Sequence, residues 1–146
     1  MSIPEFREDG WLPKGHHQAT WEEFETSFGG SMGSVRATLM NRLLRWRDDL
    51  RRYGVTGRLL LDGSFVSTKA EPGDVDALFV FTDESEKILA WNTDAQELIH
   101  YQHTKDSGLG DILCFKRVLC DTIRKCAGWM DLILIKRQEL PKASLR

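Results

Sequence analysis

Two apolar runs joined by a polar loop, within the stretch from Leu59 to Phe81, constrain this chain more than any other segment. Leu59-Leu60-Leu61 and Ala77-Leu78-Phe79-Val80-Phe81 read as strands, predicted over about 57–62 and 74–82. The first delivers a small, flexible Gly63-Ser64 turn. The second opens with Asp74-Val75-Asp76. Residues two apart on a strand point to the same side, so Asp74 and Asp76 can converge on one cation. A chain built around this pair of strands is organised by a sheet, and the other segments read as its cover.

Those segments fit one domain spanning 1–146, because a chain of 146 residues can bury about two-thirds of its unfolded surface. Residues 1–30 carry Pro4, Gly10, Pro13 and Gly15 too often for a continuous helix. They predict an extended arm with Phe6, Trp11 and Leu12 as apolar anchors, then a short helix from Thr20 to Phe28. Thr20 and Glu23 have capping-box spacing, and Trp21, Phe24 and Phe28 share one face. A longer helix is predicted from Ser34 to about Tyr53. Val35, Leu39, Met40, Leu43, Leu44, Trp46 and Leu50 form its apolar stripe, and Gly54 stops it. Arg42, Arg45, Arg47, Arg51 and Arg52 read as its solvated face, interleaved with Asp48 and Asp49. Beyond the second strand, Asp83 and Glu86 suggest a cap for a helix through Trp91. A kink or second helix from Asp94 to about Lys105 follows, with Ala95, Leu98, Ile99 and Gln102 facing inward. Further strands are predicted near 111–116 and 129–137, separated by a helix from Val118 to Ala127, and the tail from Gln138 is expected to fray. The fold class is α/β, with a mixed sheet of about four strands packed with helices.

Charge and cysteine usage narrow the function classes. Twenty basic and 22 acidic residues leave a net charge of −2, so net charge does not point to nucleic acid, and no stretch approaches membrane-spanning length. Cys114, Cys120 and Cys126 sit six apart in apolar surroundings and make neither a CxxC metal site nor a disulfide framework. With no basic or apolar leader in the first residues, a reduced cytoplasmic protein is expected. His16-His17 and the His100/His103 pair have no ligand partners at metal-site spacing and read as surface residues.

The central stretch carries the chemistry. A Gly-Ser turn after a strand lets backbone amides approach a polyphosphate, and paired carboxylates on the next strand can hold divalent ions that neutralise it. Gly63 and Ser64, with Asp74 ten residues after the serine and Asp76 two further on at the opening of a strand, resemble the nucleotidyltransferase superfamily related to DNA polymerase β. Ile3-Pro4-Glu5-Phe6, Gly10-Trp11-Leu12-Pro13-Lys14-Gly15-His16, Ala19-Thr20-Trp21-Glu22-Glu23-Phe24 and the run from Leu61 to Lys69 resemble a family of small bacterial nucleotidyltransferase-like proteins. The resemblance implies a minimal nucleotidyltransferase core and Mg2+- or Mn2+-dependent transfer of a nucleotidyl group from a nucleoside triphosphate, ATP foremost, to a hydroxyl of a protein, RNA or small molecule. On it, Gly63, Ser64 and Lys69 would contact the triphosphate, while Asp74 and Asp76 would bind metal. A third carboxylate, metal ligand or base for the acceptor, would come from a neighbouring strand. Asp111 is the candidate and Asp131 the rival. The alternative is a catalytically silent binding protein, an antitoxin-like member of a bacterial defence pair. In either case a homodimer or a toxin-like partner would complete a cleft that so small a chain leaves open.

Overall fold

The computed structural model describes residues 3–13, 15–115 and 131–135. The expected helix at 118–127, the tail, Cys120 and Cys126 lie outside the described residues.

Five strands form one mixed sheet among these residues: β1 (His16–Ala19), β2 (Gly57–Asp62), β3 (Val75–Phe81), β4 (Gly110–Phe115) and β5 (Asp131–Ile135), in the order β1-β5-β2-β3-β4. The outer pair β1-β5 and the central pair β2-β3 are antiparallel, whereas β2-β5 and β3-β4 are parallel. The α/β expectation holds, and the sheet is mixed. The additional strand is β1, inside what the sequence presents as an extended arm. Four residues, His16-His17-Gln18-Ala19, carry no apolar alternation, and pairing with β5 is what makes them a strand.

Helix α1 (Trp21–Phe28) starts on the predicted capping box: Glu23 N–H donates to Thr20 Oγ1 at 3.1 Å, and Thr20 N–H donates to Glu23 Oε1 at 3.2 Å. Phe24 and Phe28 are buried and pack on each other and on Phe65 and Phe6. Helix α2 (Val35–Arg52) is capped by Ser34, which accepts from Ala37 N–H. It buries Leu39, Met40, Leu43, Trp46 and Leu50, each contributing about 1.5–3 kcal/mol by leaving water. Its stripe differs from expectation at the first turn, where Val35 is exposed and Arg36 is buried. The expected arginine face is solvated at Arg42, Arg45, Arg51 and Arg52 and half-buried at Arg47. Arg42 donates to Gly108 O, Arg47 pairs with Asp48 and covers the Trp21 ring, and Arg51 and Arg52 pair with Asp48 and Asp49.

Helix α3 (Asp83–Trp91) is capped by Thr82, one residue earlier than the expected Asp83, because the Thr82 hydroxyl reaches Ser85 N–H. The segment expected as one helix or kink is two short helices, α4 (Thr93–Leu98) and α5 (Tyr101–Asp106). The break falls at Ile99-His100, where His100 leaves helical geometry and its Nδ1 accepts from Gln102 N–H. Ala95 faces the core as expected, but Gln102 is exposed.

The two faces of the sheet do different work. Leu59, Leu61, Val75, Ala77, Phe79 and Ile112 join the aromatic and α2 residues in one core. Leu60, Leu78 and Val80 alternate with them and are buried on the opposite face. Cys114, packed against the main core, has its thiol pushed up to about 12 by burial. Among the described residues no helix is long and apolar enough to cross a membrane.

Candidate functional site

Strand register places an aspartate in each of three neighbouring strands on one line: Asp62 of β2 pairs with Asp76 of β3, which pairs with Asp111 of β4. In-register neighbours project to the same side of a sheet, so this is a row of carboxylates on the face opposite the main core. Asp74, two residues before Asp76, joins that side from just outside β3. Asp74, Asp76 and Asp111 each offer a carboxylate oxygen within 4.8 Å of the other two, an arrangement that could hold a metal ion. Asp62, at 1 % exposure, is the buried end of that row. Like charges this close oppose one another, and a bound cation would relieve them. Three oxygen donors suit a hard divalent ion such as Mg2+ or Mn2+ rather than a thiolate-seeking metal.

Of the two candidates for a third acid, the fold brings in Asp111. Asp131 opens β5 opposite Arg58, and Arg58 and Asp62 are four steps apart on β2, roughly 13 Å of strand. Asp111 also accepts from the Tyr101 hydroxyl of α5 at 3.1 Å.

Gly63 is tied to this row by sterics. Its φ is +80°, and a Cβ there would lie 2.5 Å from Asp76 Oδ2. Gly110 plays the same part on the other flank, where φ is +142° and a Cβ would overlap the Val75 backbone. Ser64 follows Gly63 and opens a 3-10 turn, Ser64–Val66, with its side chain half-buried. The turn is not the flexible element the sequence suggests. Phe65 and Val66 are sunk into the core, and Ser67 bridges to Trp11 of the N-terminal arm. Lys69 is exposed, and what the described contacts engage is its backbone. Pro72 is buried, and the chain bends ahead of it at Thr68, Ala70 and Glu71.

Arg36 was missed by sequence reasoning. It donates to five carbonyls: Nε to Lys69 at 2.8 Å, Nη1 to Phe65 at 2.7 Å and Phe28 at 3.3 Å, and Nη2 to Ser67 at 2.6 Å and Ser64 at 3.3 Å. Burial lowers its pKa, and the carbonyl dipoles and the Phe65 face offset that cost. The signal was present, since position 36 falls on the apolar stripe three residues before Leu39 and seven before Leu43. A charged residue there marks a buried partner set. Tyr101 and Asp62 left no such signal, because their roles arise from register and from packing of α5 on β4.

His17 bonds Pro13 O through Nε2, and His103 lies 3.7 Å from Glu97, so these histidines serve local structure. The sequence pattern of the Family of unknown function (DUF6932) matches residues 4–142. The chain belongs to that family. The match spans both the Gly63-Ser64 turn and all four aspartates, so in this family member the site is built from family sequence rather than from an appended segment. No curated protein and no solved structure matches the chain.

Proposed function

We propose that this protein transfers a nucleotidyl group from a nucleoside triphosphate, ATP foremost, to an acceptor hydroxyl, using Mg2+ or Mn2+ held by Asp74, Asp76 and Asp111. The observation that carries the reading is the convergence of these three carboxylates within 4.8 Å of one another on strands that also position Gly63 against Asp76. It is supported by the order of parts that resembles the DNA polymerase β-related transferases: strand, Gly-Ser, connection, Asp-x-Asp strand, then an acid on the neighbouring strand.

When bound, the metal would offset phosphate charge and stabilise the leaving pyrophosphate. The protein's own groups do the rest. Asp74 and Asp76 fix the cation, the backbone at Gly63 leaves a side-chain-free approach for phosphate oxygens, and the Ser64 hydroxyl can donate to them. Asp111 accepts the proton from the attacking hydroxyl. Lys69, at the end of the same loop, would neutralise phosphate charge from solvent.

Calorimetry with ATP, with and without Mg2+, followed by pyrophosphate release in the presence of acceptors, tests this directly. The expected result is metal-dependent ATP binding abolished by Asp76→Asn. Metal-dependent binding with no release over all acceptors would instead favour the silent, partner-binding reading, and equal binding by the Asp76→Asn protein would end the metal assignment.

A further inference from the structure

The acceptor that this site requires is a hydroxyl beside Asp111, and the fold already supplies one. The Tyr101 phenol donates to Asp111 Oδ1 at 3.1 Å, within the range over which a positioned base takes a proton. Tyr101 is 39 % exposed. Its backbone is fixed from below: buried Thr104 donates from its hydroxyl to Tyr101 O at 2.9 Å, and Leu109 N–H, leading into β4, donates to Thr104 O at 3.1 Å. The Lys105 ammonium stands 5.5 Å from the Tyr101 ring centroid, a cation-π contact that helps to hold the ring in place. A nucleophile and the carboxylate nominated as its base are thus brought together by α5 and β4.

We propose that Tyr101 is a modification site and that the protein nucleotidylates it in cis. This rests on the transfer reaction proposed above and names its acceptor class, a tyrosine phenol. Tyr101 Oη attacks the α-phosphorus of the triphosphate. A phosphorus–oxygen bond forms to the phenol, and the bond from the α-phosphorus to the bridging oxygen breaks, with its electron pair leaving on pyrophosphate. The phenolic proton passes to Asp111 and then to solvent. No electron is gained or lost by any group, and the product is a nucleoside monophosphate ester of Tyr101. Occupation of the acceptor position by the chain itself also accounts for a nucleotidyl-transfer site on a chain with no added acceptor-binding module among its described elements.

The test is to incubate the full chain with Mg2+ and each of the four ribonucleoside triphosphates, then map modified peptides by mass spectrometry. The expected product carries one nucleoside monophosphate on the peptide containing Tyr101, is absent with chelator and in Tyr101→Phe, and forms about 10²–10⁴-fold more slowly in Asp111→Asn. In the Tyr101→Phe protein, N-acetyltyrosinamide added in solution should become labelled in its place. Wild-type protein that binds Mg2+–ATP by calorimetry but stays unmodified at Tyr101 overturns self-modification and leaves the transferase reading standing, as does label confined to another residue or to the added phenol. Absence of metal-dependent ATP binding overturns both.

Discussion

Asp76 and Asp111 stand side by side in the sheet, yet they are held there by different means. Asp76 lies on β3, which has a hydrogen-bonded strand on each side, and its carboxylate abuts the Gly63 backbone. Asp111 lies on β4, the end of the sheet order, and its carboxylate accepts from the hydroxyl of Tyr101 in a six-residue helix. One acid is built into the frame, whereas the other is delivered to it from an edge. Under the transfer reaction proposed above, the difference would assign metal holding to the framed acid and proton handling to the edge one.

The comparison can be broken most severely at Asp76. Asp76→Asn is expected to abolish metal-dependent ATP binding in calorimetry and, with it, Mg2+-dependent transfer. Asp111→Asn should weaken Mg2+ affinity less than Asp76→Asn in calorimetry, and the reverse order would erase the distinction between frame and edge. Arg36→Met leaves five carbonyls without their donor and should cost about 2–4 kcal/mol in urea unfolding, with Arg36→Lys recovering part because an ammonium cannot span the same fork. Gly63→Ala forces a side chain into positive φ and onto Asp76, so about 1–3 kcal/mol of stability should go, together with metal affinity. Arg52→Ala, which loses only an exposed pair with Asp49, should fall within about 0.5 kcal/mol of wild type and serves as the baseline.

How much of this was legible in the sequence follows the same division. The frame was readable: β2 and β3 are continuous apolar runs, Asp74 and Asp76 share a side by strand period alone, and the caps at Thr20 and Ser34 announce their helices. The edge was readable only by analogy. Asp111 could be nominated from the order of elements, but choosing it over Asp131 needed strand register, which local sequence does not encode when both acids open apolar strands. Tyr101 lay in a stretch whose helical pattern hid the break at Ile99-His100. Arg36 was visible as an exception on an apolar stripe and was passed over because five other arginines on the helix read as solvated.

The position of β5 has a further consequence for how the protein comes to be made. β5 lies between β1 and β2, pairing His16 with Ile135 and Arg58 with Asp131. On a ribosome the β2-β3-β4 half can assemble while β1 waits with no strand to join, since its partner is synthesised more than a hundred residues later. Contacts of such sequence separation slow folding and leave an open strand edge in the interval. All three strands that carry the acidic row are therefore synthesised before the strand that completes the sheet.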